Sequence, residues 1–354
     1  MKDKIITITF IIFITTFGIL HIFFVDESIS IFERRKLKNF PEFKLNNTYI
    51  NELDSYLLDH FPFRDEFRSI KALFNYNILN KLDNNGIYLK DNYIYKSNYP
   101  TNKKSINNFI EKTKKLMNLL TKDNQVFIMV IPDKNYYLEE DNFLHIDYDY
   151  IYKNINKLGL NTIDIRDVLN MEDYYETDTH WRQEKIDKVV KRMSEVMNFA
   201  YKKQVYEQEV YNKFYGVYYG ESAIKRRPED LYYLTNETIN LAKVKYLENS
   251  SLEKIYNIDK LASLDAYEVY LDGASSFIEI FNDNSKSNKE LVIFRDSFGS
   301  SLAPLLVEYY KKITIIDNRY INSNNFLNYI EFNNQDILFS YSTLVINSSE
   351  TLKG

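Results

Sequence analysis

The longest hydrophobic stretch of the chain runs from Ile5 to Val25, and it is interrupted only by threonines, one glycine and His21. A helix of this length spans about 30 Å, which is the hydrocarbon thickness of a bilayer. Two lysines precede the stretch and two acidic residues follow it. We therefore predict a transmembrane helix within residues 1–25, with the N-terminus in the cytoplasm and the bulk of the chain outside the cell membrane.

A cleaved signal peptide is the alternative interpretation of the same stretch. Its apolar core is usually shorter and ends in small residues of the Ala-x-Ala type. Here the stretch ends Phe23-Phe24-Val25, which offers no such site. The pattern therefore favours an uncleaved signal anchor.

The second predicted region, residues 26–85, begins without a regular period, as in an irregular stalk. From 50 to 82 the apolar positions recur at helical spacing, and Pro62 interrupts them, so two helices are predicted to meet there. Asp59 and His60 stand at this break. Their position indicates packing of the N-terminal segment rather than catalysis.

Strand and helix patterns alternate over the third region, residues 86–354. The predicted elements are a hairpin at 86–96, a helix at 104–121, strands at 126–131 and 162–165, a helix at 181–198, a strand at 291–294, a helix at 298–311, and strands at 312–316 and 343–347. This order predicts an α/β domain with a mostly parallel sheet. The Tyr-rich residues 200–285 contain several β segments and are predicted to form an insertion over the core.

Composition narrows the chemistry of the site. Hydrophobic residues make up 45% of the chain, and the net charge of −5 without a long basic block argues against nucleic-acid binding. The chain has no Cys, which excludes disulfides, Cys-zinc sites, iron–sulfur clusters and thiol nucleophiles. A transition-metal site would need nearly all of the four His, and eight Gly leave little room for a phosphate-binding loop. We predict no metal and no cofactor.

The first candidate for catalysis is a serine that follows a buried strand pattern. Ser297 stands at the carboxyl end of that strand and the start of a helix, where open α/β sheets bind ligands. The N–H groups of Phe298, Gly299 and Ser300 are the nearest donors for a developing oxyanion. Alternatively, Ser297 only caps the helix.

A serine nucleophile needs a base, which is usually a His oriented by a carboxylate. Asp178 and His180 are two residues apart and can point the same way from an extended turn. Trp181, the only Trp, follows them and is a candidate wall of the site. In the alternative, Asp178 or Thr179 caps the helix predicted at 181–198 and His180 is solvated.

Two basic residues and two Tyr pairs are further candidates. Lys134 follows a strand end and would lie either in the active-site cleft or on the surface. Arg295 would either bind an anionic substrate group or pair with Asp296. The pairs Tyr218-Tyr219 and Tyr232-Tyr233 would suit sugar stacking, but ordinary packing is favoured in a chain with 31 Tyr.

Taken together, these motifs resemble the DHHW proteins of Gram-positive bacteria. Those proteins are similar in turn to the SGNH-hydrolase-like domains of the alginate O-acetylation proteins. The resemblance covers nearly all of the chain beyond the predicted anchor. It rests on six segments in one order: Asp59–Asp65, the hairpin Ile87–Tyr95, Pro132–Lys134, Tyr175–Trp181, Asp296–Phe298 and Asp317–Tyr320.

The resemblance implies an SGNH-hydrolase-like three-layer fold with a permuted motif order. Asp178 and His180 would form a catalytic triad with the later Ser297, whereas ordinary SGNH hydrolases place the Ser first. Two positions depart from the pattern. Thr179 stands where the family name implies a second His, and Arg295 replaces the Gly of the usual Gly-Asp-Ser opening, which leaves oxyanion donors beyond the backbone open.

The implied function is an O-acyl, chiefly O-acetyl, transferase or esterase acting on a cell-envelope or secreted glycan. The resemblance also implies a membrane-bound O-acyltransferase partner as the acyl donor. The alternative is a non-catalytic glycan-binding or envelope-assembly protein on the same fold, because fold does not fix function. The distance between His180 and Ser297 discriminates between these hypotheses.

Overall fold

The computed structural model describes residues 2–23, 26–138, 143–249 and 251–353. The chain folds as two compact units. The first contains the chain up to Asn85 together with Tyr219–Arg226, and the second contains Gly86–Tyr218 and the chain from Arg227 onward.

The elements are numbered in chain order. The helices are α1 Lys2–Phe23, α2 Asn47–Asp59, α3 Arg64–Asn77, α4 Lys103–Met117, α5 Tyr148–Ile155, α6 Asp187–Met197, α7 Val217–Ser222, α8 Glu237–Leu241, α9 Phe298–Leu306, α10 Ser323–Phe326 and α11 Thr343–Asn347. The strands are β1 Ile29–Ser30, β2 Arg35–Lys36, β3 Asp83–Asn84, β4 Ile87–Lys90, β5 Tyr93–Lys96, β6 Gln125–Ile131, β7 Asn161–Thr162, β8 Glu207–Phe214, β9 Glu229–Thr235, β10 Lys243–Tyr246, β11 Leu252–Glu253, β12 Phe277–Phe281, β13 Glu290–Arg295, β14 Lys312–Ile316 and β15 Asp336–Ser342.

In the first unit, α1 is long and apolar enough to cross a membrane, with a mean hydropathy of 2.3. This pattern suits a membrane anchor or a signal sequence. Phe24 and Val25, the end of the predicted apolar stretch, lie outside the described residues.

The predicted helix break separates α2 from α3. Asn46 caps α2 by accepting a hydrogen bond from the Tyr49 N–H. Asp59, at the end of α2, pairs with Arg35 at 2.5 Å and accepts a hydrogen bond from the Lys38 N–H at 2.9 Å. The Asp59–His60 pair therefore packs the N-terminal segment, as its sequence position indicates.

The second unit is built on one eight-stranded sheet with the strand order β11-β10-β12-β14-β13-β15-β6-β7. The five strands from β14 to β7 are parallel, and the three at the other edge are antiparallel. Alternate residues of β13 enter the cores on opposite faces of the sheet, with Leu291 and Ile293 on one face and Val292 and Phe294 on the other. Helices α6 and α9 cover the first face, while α4, α5 and α11 cover the second. The unit is thus an α/β fold of three layers.

Two predicted elements differ in type or extent from the structure. The strand predicted at 343–347 is helix α11, and the strand ends at Ser342, whose hydroxyl accepts a hydrogen bond from Val345 N–H. The helix predicted at 181–198 begins only at Asp187, because Trp181 still pairs in extended conformation with Tyr174.

The insertion predicted at 200–285 is wrong in part. Among the described residues of this range, β8 and β9 form an antiparallel pair of their own. Strands β10, β11 and β12 extend the central sheet beyond β14 through backbone hydrogen bonds. They therefore belong to the core of the second unit and do not cover it.

Candidate active site

The turn between β13 and α9 presents Ser297. The Asp296 carboxylate, not the Ser297 hydroxyl, caps α9 by accepting a hydrogen bond from the Phe298 N–H at 3.1 Å. Its other oxygen accepts from the Ser342 N–H at 2.7 Å and so fixes the turn to the end of β15. The capping role considered for Ser297 is therefore wrong, and its hydroxyl is directed elsewhere.

The structure brings Ser297, His180 and Asp178 together in one hydrogen-bonded chain. Ser297 Oγ lies 2.7 Å from His180 Nε2, and His180 Nδ1 lies 2.6 Å from Asp178 Oδ1. Both residues of the Asp–His pair are buried. This geometry suits proton transfer from a serine hydroxyl to an imidazole whose orientation a carboxylate fixes.

The Asp178 carboxylate is held by the backbone as well as by the imidazole. Oδ1 also accepts a hydrogen bond from the His180 N–H at 3.0 Å, and Oδ2 accepts from the Val217 N–H at 2.8 Å. Its role as cap of the predicted helix is wrong, since α6 begins further along at Asp187.

A second set of contacts secures the segment before Asp178. The Glu229 carboxylate accepts hydrogen bonds from the N–H groups of Glu176 at 2.6 Å and Thr177 at 2.7 Å. The Thr177 hydroxyl accepts from the Gly216 N–H at 2.9 Å. A Cβ at Gly216 would lie 2.3 Å from the Thr177 carbonyl oxygen, so only glycine permits this approach.

Trp181 is fully buried and does not line a cleft. It connects the segment that carries His180 to the segment that carries Ser297. Its indole N–H donates to Ser301 Oγ at 2.9 Å and to the Phe298 carbonyl at 3.2 Å. The indole thus holds the His180 segment against the first turn of α9. The predicted wall is in fact an internal brace.

Lys134 lies in neither of its predicted places. It is buried, and its ammonium donates to the carbonyl oxygens of Tyr175 and Glu176, each at 3.0 Å. The rings of Tyr218 and Tyr95 lie 5.1 and 5.5 Å from the same nitrogen. Lys134 therefore supports the segment that leads to Asp178.

Arg295 is also buried, with 1% of its surface exposed, which leaves no face for a substrate anion. Its guanidinium lies 3.6 Å from the Asp317 carboxylate and donates to the carbonyl oxygens of Asp296 and Gly273. Burial lowers the pKa of this guanidinium, and Asp317 opposes that effect. Arg295 pairs with Asp317 and not with the Asp296 carboxylate. Through its hydrogen bond to the Asp296 carbonyl oxygen it supports the turn that carries Ser297.

The N–H groups predicted to hold an oxyanion already have acceptors. The Phe298 and Gly299 N–H groups donate to Asp296, and the Ser300 N–H donates to the Ser297 carbonyl oxygen at 3.1 Å. Within the described part of the chain, no acceptor lies on the N–H of Ser297 itself. That group is the better candidate donor at the nucleophile.

Tyr267 is a site residue that the sequence did not reveal. Its ring stacks on the His180 imidazole with 3.9 Å between centroids and 8° between planes. Its hydroxyl lies 2.8 Å from Ser301 Oγ, and burial raises its pKa well above 10.0, so the phenol stays neutral. No motif or spacing singles it out among the Tyr-rich residues that precede β12.

The Tyr pairs do not form an exposed sugar-stacking face. Tyr218 is buried, and the half-buried Tyr232 and Tyr233 lie against Arg182 and Tyr256. Ordinary packing, which the sequence favours, accounts for them. Over the described ranges, no three His, Asp or Glu side chains are grouped so as to hold a metal ion.

Comparison with solved structures supports the fold. A DHHW family protein from Eubacterium siraeum is 19% identical, with a TM-score of 0.62 over 77% of this chain and 97% of its own. Bacillus cereus PatB1 with a sulfonyl adduct is 17% identical, with a TM-score of 0.59 over 73% and 95%. The O-acetyltransferase domain of Pseudomonas putida AlgJ matches at 11% identity and a TM-score of 0.45, over 74% and 92%.

At these identities the first two matches show a shared fold alone, because fold does not fix function. No curated protein matches the sequence. The model of the DHHW protein family matches residues 140–316, half of the chain, and this range contains Asp178, His180 and Ser297. The chain belongs to the DHHW family.

Proposed function

We propose that the protein is a membrane-anchored extracytoplasmic O-acyltransferase or esterase that acts through Ser297, His180 and Asp178. Acetyl is the expected acyl group, and a cell-envelope or secreted glycan is the expected substrate. The observation that carries the proposal is the hydrogen-bonded chain from Ser297 through His180 to Asp178. Such a chain is the arrangement that activates a serine hydroxyl.

In the proposed mechanism, His180 Nε2 takes the proton from Ser297 Oγ as that oxygen attacks an ester carbonyl. The Ser297 N–H stabilises the developing oxyanion, and Asp178 stabilises the imidazolium. His180 then returns the proton to the departing alkoxide, which leaves an acyl-serine. A sugar hydroxyl or water, deprotonated by His180, attacks the acyl-serine, and His180 returns this proton to Ser297 Oγ as the acyl–oxygen bond breaks.

The remaining parts of the proposal rest on α1 and on the family resemblance. The length and hydropathy of α1 support anchoring, and the charges on either side of its apolar stretch support an extracytoplasmic second unit. By the same resemblance, a membrane-bound O-acyltransferase would supply the acyl group. No cofactor or metal ion enters the mechanism.

Hydrolysis of a chromogenic acetyl ester tests the proposal. Detergent-solubilised full-length protein should release the chromophore, and Ser297→Ala should lower kcat by at least about 10³-fold. Ser300→Ala is the matched control, because Ser300 Oγ is buried without a hydrogen bond among the described residues and its removal should leave activity nearly unchanged. Equal release by wild type and Ser297→Ala would remove Ser297 from the mechanism, and no release by either protein would favour a non-catalytic glycan-binding protein.

A sulfonyl fluoride offers a second test that needs no knowledge of the substrate. The Ser297 oxygen would bond to sulfur as fluoride leaves, with the proton passing to His180. One adduct on Ser297 is expected by peptide mass spectrometry, and Asp178→Asn should slow its formation. Labelling that is unchanged in Ser297→Ala would remove Ser297 from the mechanism.

A further inference from the structure

Helix α3 in the first unit is amphipathic, but its apolar face is the exposed one. Phe63, just before the helix, and Phe67, Ile70 and Phe74 within it are spaced four, three and four residues apart. That spacing places them on one face. All four are exposed, and Ile70 is 60% exposed. We call these four residues the α3 stripe.

More large apolar side chains are exposed along the same segment of the chain. The other large apolar side chains exposed between residues 40 and 82 are Phe40, Phe43, Leu45, Ile50, Leu57, Leu58, Phe61, Leu73, Ile78, Leu79 and Leu82. Single exposed apolar residues are normal on soluble proteins. A large number of them on one short segment indicates a surface that contacts a partner or a membrane.

The opposite face of α3 is polar and is satisfied within the first unit. Arg64 pairs with Glu33 at 2.6 Å, and Arg68 lies 3.3 Å from the same carboxylate. Arg68 also donates to the Gly220 carbonyl oxygen at 2.8 Å. Ala72, one turn further along this face, is fully buried. One face of α3 is therefore bound within the first unit, whereas the α3 stripe on the other face is exposed and would be stabilised by an apolar environment.

Contacts with α1 indicate what that environment is. The Phe17 ring of α1 stacks on Phe61 with 5.2 Å between centroids and 8° between planes, and Phe67 lies 5.7 Å from Phe17. Phe17 precedes the last residue of α1, Phe23, by six positions, or about 9 Å along the helix axis. The rings of Phe61 and Phe67, which contact Phe17, therefore lie alongside α1 about 9 Å before its end, and not beyond that end.

We infer that α2 and α3 lie in the extracytoplasmic interface of the membrane, with the α3 stripe inserted among lipid acyl chains beside α1. The inference rests on the anchoring role of α1 in the proposed function. Interfacial helices bury an apolar face about 5–10 Å into this boundary while their polar face stays with water or protein. The first unit would then be held to the bilayer by α1, which spans it, and by α2 and α3, which lie in the plane of its surface.

Because the chain contains no Cys, single-cysteine variants can report depth directly. Full-length Ile70→Cys and Phe74→Cys would be labelled with the fluorophore NBD and reconstituted in vesicles of phosphatidylcholine and phosphatidylglycerol. Glu52→Cys, at an exposed charged position of α2, is the aqueous control. Ile12→Cys, in the middle of α1, is the control for a position inside the bilayer. Quenching by lipids that carry a doxyl group on the acyl chain is then measured.

We expect lipid quenching at positions 70 and 74 to be at least about twofold greater than at position 52 and to approach that at position 12. Quenching at 70 and 74 equal to that at 52, with position 12 quenched, would overturn the inference and would favour a protein partner on the α3 stripe. An unquenched position 12 would overturn it through the anchor. Ester hydrolysis, measured separately with Ser297→Ala, is independent of either outcome.

Discussion

At the scale of single residues, the site depends on a close backbone approach at Gly216. A Cβ there would lie 2.3 Å from the Thr177 carbonyl oxygen and 2.4 Å from the Asp178 N. Gly216→Ala should therefore push the Asp178 segment away from His180. We expect a loss of about 1–3 kcal/mol in unfolding free energy and at least a tenfold drop in kcat. Thermal denaturation and chromogenic ester release measure the two effects.

A glycine outside the site provides the control for this substitution. Gly159 has a positive φ of +69°, but nothing lies within 4 Å of a Cβ built there. Gly159→Ala should cost about 1 kcal/mol of stability from backbone strain and leave kcat unchanged. A Gly216→Ala protein as active as Gly159→Ala would contradict the importance of this approach.

The stacked ring of Tyr267 leads to a second prediction at this scale. Its ring limits the orientations open to the His180 imidazole, and aromatic stacking contributes about 0.5–1.5 kcal/mol. Tyr267→Leu should lower kcat by about 2- to 10-fold with little change in KM. Tyr267→Phe keeps the ring and should retain most of the activity. Steady-state kinetics on the acetyl ester separates the two, and equal losses would point to the hydroxyl and Ser301 instead.

At the scale of elements, the junction of α2 with the N-terminal segment depends on one ion pair. The hydrogen bond from Arg35 lowers the pKa of Asp59 to about 2, from an ordinary value of 3.8. The stabilisation it provides is therefore complete above pH 3.8 and is lost as the pH falls through about 2. Asp59→Asn should lower stability at pH 7 by about 1–2 kcal/mol, and the difference from wild type should vanish near pH 2.

Circular dichroism melts of wild type and Asp59→Asn at pH 7 and pH 2 measure this dependence. Chromogenic ester release at neutral pH should be equal in the two proteins, because Asp59 packs the N-terminal segment. Loss of ester release in a stably folded Asp59→Asn protein would return the Asp59–His60 pair to consideration as a catalytic pair.

Elements were predictable from the sequence where a local pattern decides them. The hairpin β4–β5, the break between α2 and α3, and strands β6, β13 and β14 follow directly from alternation, Pro62 and short apolar runs. The prediction places the last strand at 343–347, within α11, instead of at β15, because apolar residues continue past Ser342. A short apolar run has no periodicity that separates a strand from a helix.

The site divides in the same way. Asp178, His180 and Ser297 are candidates because each stands at a strand end or turn with a chemical type that suits a triad, and the family resemblance is what joins the two segments into one predicted site. The supports could not be predicted, because Glu229, Gly216 and Tyr267 reach the site through tertiary packing from segments remote in sequence. For the same reason the sequence leaves Lys134 between cleft and surface and Arg295 between a substrate anion and Asp296, and it suggests Trp181 as a wall of the site. All three are in fact buried and support the site from within the protein.

At the scale of the whole molecule, the charges flanking α1 predict its orientation. Two lysines in the first turn of α1, before its apolar stretch, and two acidic residues after that stretch favour a cytoplasmic N-terminus and an extracytoplasmic second unit. In intact cells that express the full chain, a membrane-impermeant maleimide should label Lys191→Cys, at an exposed position of α6, whereas Asp3→Cys should react only after permeabilisation. The intact mass should retain residues 1–25. The reverse labelling would contradict the orientation, and a mature mass lacking the apolar stretch would make α1 a signal peptide, in which case no spanning helix would hold the α3 stripe at the bilayer.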